Sequence, residues 1–397
     1  MEMAPIDGHL DWMGGALRPD LVFESGQGCW LTDTHGNRYL DFVGGWAVTG
    51  LGHCPSEVAN ALAKQASTLI HCSPGFWNVP ATKLARKLKE ITGMDRVFLG
   101  CTGAEANECA IKLARRFGAK MRGGAYTILT THEGFHGRTL ATMAATGKPA
   151  WRDIFGPDLT GFVHLPHGDL EAFEAAVGAH TCAILLEPIQ GEAGIRPASL
   201  EFLQGLRTLC DRHGILLILD EVQTGIGRTG TWTRAQALGV RPDILTLGKG
   251  LGAGYPISAC LCREEWNLFE PGDQGGTFTY PPLGSAVALA VLEAMEKLSL
   301  LEQVLRSEAQ LRQILHSLEA RYSLRDVRGA GLLLAFDLPH PDAGELVRIA
   351  RENGLLLNAP RPSTIRLMPA LNIDEKAIEE FATRLETSLR HLSHQGT

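Results

Sequence analysis

Two apolar strands in this chain end in residues that can do chemistry. ILLILDEVQTG (215–225) closes on Asp220 and Glu221, which sets two carboxylates at a sheet edge, where open α/β sheets bind ligands. Such acids hold a magnesium ion in nucleotide hydrolases, pair with a protonated ring nitrogen, or cap and bridge neighbouring segments. The hydrolase reading needs G-x-x-x-x-G-K-[ST]. The only Gly-Lys pairs are Gly147-Lys148 and Gly248-Lys249. Thr142 and Asp243 stand five residues before those glycines, and Pro149 and Gly250 follow the lysines, so that reading fails. The second strand, in DILTLGKGLGAGYPIS (243–258), ends at Gly248 and sets Lys249 between two glycines. The G-x-G-x-x-A at 248–253 is formally a dinucleotide loop, but such a loop opens a helix, and here Tyr255-Pro256 and the strand-like ISACLC follow. A lysine between glycines lets backbone and ligand approach closely. Partial burial there lowers the amine pKa toward what imine formation requires.

Two further segments complete a set. GCTGAEANECAIKLARR (100–116) is a strand end, a turn of small residues and an amphipathic helix. The free N–H groups of a helix N-terminus bind phosphate, and Thr102, Gly103 and Ala104 are small enough to admit one. HEGFHGRT (132–139) follows the strand AYTILT. Phe135 and His136 can stack on a planar ring, and Arg138 can bind a carboxylate. A phosphate cradle, a stacking residue, an acid for a pyridinium nitrogen and an imine-forming lysine are the parts that pyridoxal 5'-phosphate needs. The acid keeps the ring nitrogen charged, so that the ring can accept electrons.

Elements must bring these pieces together. The periodicity predicts helices over 55–70, 79–92, 104–119, 168–178 and 199–213. It predicts strands over 96–100, 125–131, 182–187, 215–220, 243–247 and 257–262. Their alternation argues for an α/β fold, a mostly parallel central sheet covered by helices. Residues 23–52 read as a small antiparallel meander turning at Gly26–Gly28 and Thr34–Gly36. After Leu283 a long helical pattern runs to about Tyr322, and a βαβ-like tail follows, with strands near 332–337 and 364–368. The expected organisation is a large domain over 56–290 and a smaller α+β domain made from both termini, 1–55 and 291–397.

The chain has 397 residues, 45% of them hydrophobic and 20% charged, so a large core is available. A net charge of -7 gives no electrostatic reason to expect a nucleic-acid partner. Nine scattered cysteines without a C-x-x-C pair argue for reduced thiols rather than a disulfide framework or a metal site. The opening MEMAPIDGHLDWM is not built like a signal peptide. Apolar runs such as Ile215–Leu219 are too short to cross a membrane, and a cytoplasmic protein is expected.

The motifs GAEANECAIKLAR, FHGRT, EPIQGEAG, LDEVQTGIGRTG, LGKGLGAGYPI and GGTF, in this order from about Phe23 to Ile373, resemble those of the class III aminotransferases of fold type I, in particular the acetylornithine/ornithine branch. The resemblance implies that Lys249 forms the imine with pyridoxal 5'-phosphate and shuttles a proton, while Asp220 pairs with the ring nitrogen. Gln223 would reach the ring hydroxyl, and Val222 and Phe135 would sandwich the ring. Thr102, Gly103 and Ala104 would hold the phosphate. Thr277 resembles a residue that reaches the phosphate of a neighbouring subunit, which implies a homodimer with shared sites. Arg138 resembles the residue that binds the distal substrate carboxylate, and Arg366 the one that binds the α-carboxylate of glutamate or 2-oxoglutarate. Glu192 would pair with Arg366 when an ω-amine is bound and swing away for glutamate. The implied reaction moves the ω-amino group of N2-acetylornithine to 2-oxoglutarate in arginine synthesis, with ornithine or putrescine as rival donors.

The chain departs from the family pattern at several places: Cys101-Thr102 before the phosphate glycine, Gly276 before Thr277, Thr279-Tyr280-Pro281-Pro282 after it, and Trp46 in GGWAV. Trp46 is expected to line the substrate entrance. These changes bear on the donor rather than on cofactor chemistry. An aminomutase, a decarboxylase or a non-catalytic cofactor-binding module are the rivals from other classes. The Glu192/Arg366 pair argues against the first two, and Lys249 with Asp220 against the third.

Overall fold

The structure is a computed structural model that describes Met13 and residues 19–151, 154–157 and 159–395. The opening stretch judged unlike a signal peptide, and the first part of the expected 1–55 segment, lie largely outside the described residues.

A seven-stranded sheet forms the centre, in the order Arg96–Gly100, Ser258–Cys262, Ile244–Leu247, Leu216–Asp220, Thr181–Leu186, Thr127–Thr131, Phe162–Leu165. Every neighbouring pair is parallel except those made by Ser258–Cys262, which runs against both of its partners. The two strands Thr181–Leu186 and Leu216–Asp220 are buried at every position. That explains their unbroken apolar sequence, because helices cover both faces.

The covering helices carry their own start and stop signals. Asn78 caps Val79–Thr92, which ends at Gly93 in the left-handed region. Ser199 caps Leu200–His213, which ends at Gly214 in the same way. Thr102 and Glu105 form a capping box at the start of Gly103–Met121. That helix buries Ala106, Cys109, Ala110, Leu113, Ala114 and Phe117, the 3–4 spacing of one face. At Gly118 it meets the chain so closely that an added Cβ would lie 1.7 Å from the Ala125 carbonyl oxygen. Gly118→Ala therefore destabilises the protein by about 1–3 kcal/mol despite alanine's better helix propensity. A lowered urea midpoint at unchanged slope checks this.

The meander is present as Phe23–Gln27, Trp30–Asp33 and Arg38–Asp41, antiparallel in sequence order. Asp33 holds its second turn by accepting from the N–H groups of His35 and Asn37. A fourth strand, Leu355–Leu356, joins Arg38–Asp41 in parallel, so the two ends of the chain share this sheet.

Two expectations need correction. The long helical pattern after Leu283 is two helices, Pro282–Lys297 and Leu300–Tyr322. Ser299 takes a left-handed backbone between them, and the new axis lets Leu300, Val304, Leu311, Leu315 and Leu318 reach the core. The tail is not a simple βαβ unit. After the helix Ala343–Glu352, the strand Asn358–Arg361 turns at Pro362-Ser363 into Thr364–Leu367, which pairs antiparallel with Leu333–Asp337. The hairpin reverses the chain where a single crossover would have left it parallel. Among the described residues no helix is long and apolar enough to cross a membrane.

Candidate active site

Five strands of the central sheet deliver the candidate residues to one edge. Arg96–Gly100 leads to Thr102, Gly103 and Ala104. Thr127–Thr131 leads to Phe135 and Arg138, and Thr181–Leu186 to Glu187 and Glu192. Leu216–Asp220 carries Asp220, Val222 and Gln223, and Ile244–Leu247 leads to Lys249. Arg366 arrives from the smaller sheet, on Thr364–Leu367.

Asp220 is buried and densely bonded. Its Oδ2 accepts from Asn107 Nδ2 at 2.7 Å and pairs with His136 Nδ1 at 2.8 Å. Its Oδ1 accepts from the Val222 N–H at 3.1 Å. The Thr246 hydroxyl has one proton to give. It lies 2.8 Å from Asn107 Oδ1 and 3.3 Å from Asp220 Oδ1, so the shorter bond takes it. Asp220 Oδ1 keeps room for one more donor. Burial alone would neutralise His136, but its hydrogen bond to Asp220 and the nearby carboxylates of Asp220 and Glu187 hold its pKa above the usual value.

His136 was one of two candidates to stack on a planar ring. Instead its ring lies in hydrogen-bond contact with Asp220, fully buried, and Phe135 alone of that pair is left with a partly open face. Sequence spacing cannot separate the two roles, since both need a flat side chain after the same strand.

Lys249 sits on a backbone with φ 43, a strained setting for a lysine. Burial pushes its amine pKa down to about 8, and the Arg366 guanidinium adds to this; Glu192, Asp220 and Glu187 oppose it. Before it, Gly248 has no room for a side chain without pressing on Val222: an added Cβ would lie 3.3 Å from Val222 Cγ1 and 3.5 Å from Gly103 Cα. A Cβ at Gly103 would lie 2.7 Å from the same Val222 atom. Val222, the helix start and the lysine turn are thus packed into one wall. At that helix start Thr102 is exposed, and Gly103 and Ala104 stand where N–H groups have no intrahelical acceptor.

Gln223 is buried, and its Oε1 has no hydrogen-bond partner among the described residues. Arg366, 1% exposed, donates to Glu192 Oε1 at 2.8 Å, to the Gly191 carbonyl at 3.0 Å and to Asn358 Oδ1 at 2.9 Å. Burial alone would raise the Glu192 carboxyl, but the charge and hydrogen bond of Arg366 bring it below the usual range, with help from Lys249 and Lys148.

Sequence reasoning missed Glu187. It is buried and accepts from the N–H groups of Phe135 at 2.9 Å and Gly191 at 3.2 Å. It ties the loop of Phe135 to the turn that carries Glu192. Burial pushes its pKa up to about 7, against the pull of His136. Its place one residue past a buried strand, like Asp220 in its own strand, was the available signal. Thr246 stands beside Asp220 in parallel register, and Asn107 one helical turn past Gly103, so each was one step from a residue already singled out.

Three expected residues are not enclosed. Arg138 is exposed, with its guanidinium 4.8 Å over the ring of Trp151. Thr277 is exposed beside Phe278. Trp46 is 59% exposed on a left-handed turn and is no core tryptophan.

Comparison with known proteins places the fold in one family. The aminotransferase class-III family profile matches residues 15–389. Over 372 residues the chain is 51% identical to acetylornithine aminotransferase 2 of Bordetella pertussis, spanning 93% of this chain and 94% of that one. The ornithine aminotransferase of Toxoplasma gondii superposes with a TM-score of 0.93 at 32% identity, covering 98% of this chain and 94% of that one. The N-acetylornithine aminotransferase of Stenotrophomonas maltophilia does so with a TM-score of 0.83 at 34% identity, over 94% and 97%.

Proposed function

The chain belongs to the class-III aminotransferase family, and from that premise we propose that it moves the ω-amino group of N2-acetylornithine to 2-oxoglutarate, giving a semialdehyde and glutamate. One observation carries the two-substrate reading: a buried arginine, Arg366, is masked by a partly exposed acid, Glu192. An ω-amine enters with its amine-bearing end, which carries no carboxylate, beside a neutralised pair. A dicarboxylate displaces Glu192 and takes the guanidinium, which binds carboxylates in two-pronged fashion.

Pyridoxal 5'-phosphate fits the residues present. Asp220 Oδ1 has an acceptor position for a ring N–H, and the unpaired Gln223 Oε1 one for a ring hydroxyl. The N–H groups of Gly103 and Ala104 suit a phosphate. Val222 and Phe135 supply two apolar faces. When bound, the cofactor supplies an aldehyde for the amine and a ring that accepts the electrons of the substrate C–H bond. Lys249 Nζ would take up the proton leaving that carbon and pass it to the cofactor's aldehyde carbon, which an amine pKa lowered to about 8 favours. Asp220, with His136 and Asn107 bracing it, keeps the ring nitrogen charged.

We further read the enzyme as a homodimer in which Thr277 serves the neighbouring subunit's phosphate. Support comes from exposed apolar side chains such as Trp77 at 95%, Phe76 and Phe278, a set that monomers seldom leave open.

The donor assignment is tested by mixing the yellow protein with acetylornithine, ornithine and putrescine and following its visible absorbance. Acetylornithine reacts fastest. Putrescine, with no carboxylate for Arg138, is slower by on the order of 10- to 100-fold, the value of a charged hydrogen-bonded contact. If acetylornithine is the poorest of the three, the substrate assignment is wrong.

A further inference from the structure

Glu192 must have somewhere to go. In the reading above it leaves Arg366 when a dicarboxylate arrives, and a carboxylate released into a partly buried site without a counter-ion is strongly disfavoured. Three cations act on Glu192 where it stands: Arg366, Lys249 and Lys148. A dicarboxylate claims Arg366. Lys249 is engaged in the chemistry. Lys148 remains.

Its placement suits the task. Lys148 follows Gly147, which bridges His132 in parallel, so it rises beside the Phe135 loop. Its ammonium lies 5.3 Å from the Phe135 ring centre and 5.1 Å from that of Trp151. Two aromatic faces, one of them that of the candidate stacking residue Phe135, hold the charge. Among the described residues it makes no ion pair, whereas Arg361, on the same side, is already paired with Glu133. Glu187 ties the Phe135 loop to the turn of Glu192 through two hydrogen bonds, so the lysine and the acid are held on connected supports. Arg138, also set against the ring of Trp151, is reserved for the substrate in the reading above.

We propose that Lys148 is a specificity-determining residue that receives the Glu192 carboxylate when a dicarboxylate occupies Arg366. It rests on the two-substrate reading and deepens it. Lys148 then favours the keto-acid half of the cycle without touching that substrate, and the amine half, in which Glu192 stays on Arg366, does not call on it.

The test is a double-mutant cycle on the holoenzyme. Binding of glutarate, an unreactive dicarboxylate, is measured by calorimetry. The two half-reactions are followed separately by visible absorbance. Lys148→Met weakens glutarate about tenfold, the worth of one partly exposed charge contact. It lowers the ratio of the keto-acid to the amine kcat/KM by a similar factor. Lys148→Arg restores both. In a Glu192→Ala background, Lys148→Met changes glutarate binding less than twofold, because there is no acid left to receive. A loss that persists in that background means that Lys148 binds the ligand itself and overturns the proposal. So does unchanged glutarate affinity in the single variant, or an equal loss in both half-reactions. If the unaltered enzyme neither binds glutarate nor accepts 2-oxoglutarate, the underlying two-substrate reading fails instead.

Discussion

Lys249→Ala abolishes turnover and visible colour together. The amine can both join an aldehyde and carry a proton, and among the described residues at this edge it is the buried lysine, so loss of both roles costs on the order of 10⁴-fold or more in kcat. The fold should survive. A lysine whose folded pKa is lowered from 10.5 to about 8 binds its proton less tightly folded than unfolded. The resulting stability penalty is fully present below about pH 8 and is relieved as pH rises toward 10.5. The cofactor-free variant therefore melts no lower than the cofactor-free parent at pH 7. The same shift sets a pH dependence. Cofactor uptake by the cofactor-free parent, followed at its visible band, accelerates as pH rises through about 8, where an ordinary lysine would need more than two further units. A variant that keeps near-normal turnover would remove the lysine from the mechanism.

Asp220→Asn is the second large effect, and it acts by charge rather than shape. The amide is close in size, yet it cannot favour a charged ring nitrogen, and it sets an N–H against Asn107 or His136 in place of an acceptor. The expected loss in kcat is on the order of 10²–10³-fold, the scale of removing one preorganised electrostatic contact. Asp220→Ala goes further. It leaves the buried His136 and Asn107 without the oxygen they share at 2.8 and 2.7 Å, and breaking such a buried pair from one side costs about 3–5 kcal/mol of stability. Thermal unfolding separates the two: Asn keeps most of the melting temperature while losing activity, and Ala loses both. If Asn retains parental kcat with a normal visible spectrum, the pairing of this acid with the cofactor ring is wrong.

Much of this was legible along the chain because it depends on neighbours in sequence. An apolar run that stops at Asp220, or at Gly248 before Lys249, tells both that a strand is buried and where its end lies. Thr102 and Glu105 three residues apart announce the helix start proposed as the phosphate cradle. These are local patterns, and the five strand ends that carry them met at one edge because a parallel sheet with helical crossovers points its strands the same way.

Other features only the folded chain could decide. Among the described residues Gln223 is left with an unpaired oxygen against Gly191, a fact of packing. His136 bonds in the plane of its ring to an acid 84 residues away, although its spacing suited stacking as well. Glu187 reaches the loop of Phe135 across 52 residues. Arg366 meets Glu192 across 174 residues, which the family likeness implied but no spacing could. Residue type and periodicity determine what a segment is and which way it faces. Which distant side chain fills the remaining valence of a buried charge is set by the closure of the whole core, because only there does water cease to be the partner.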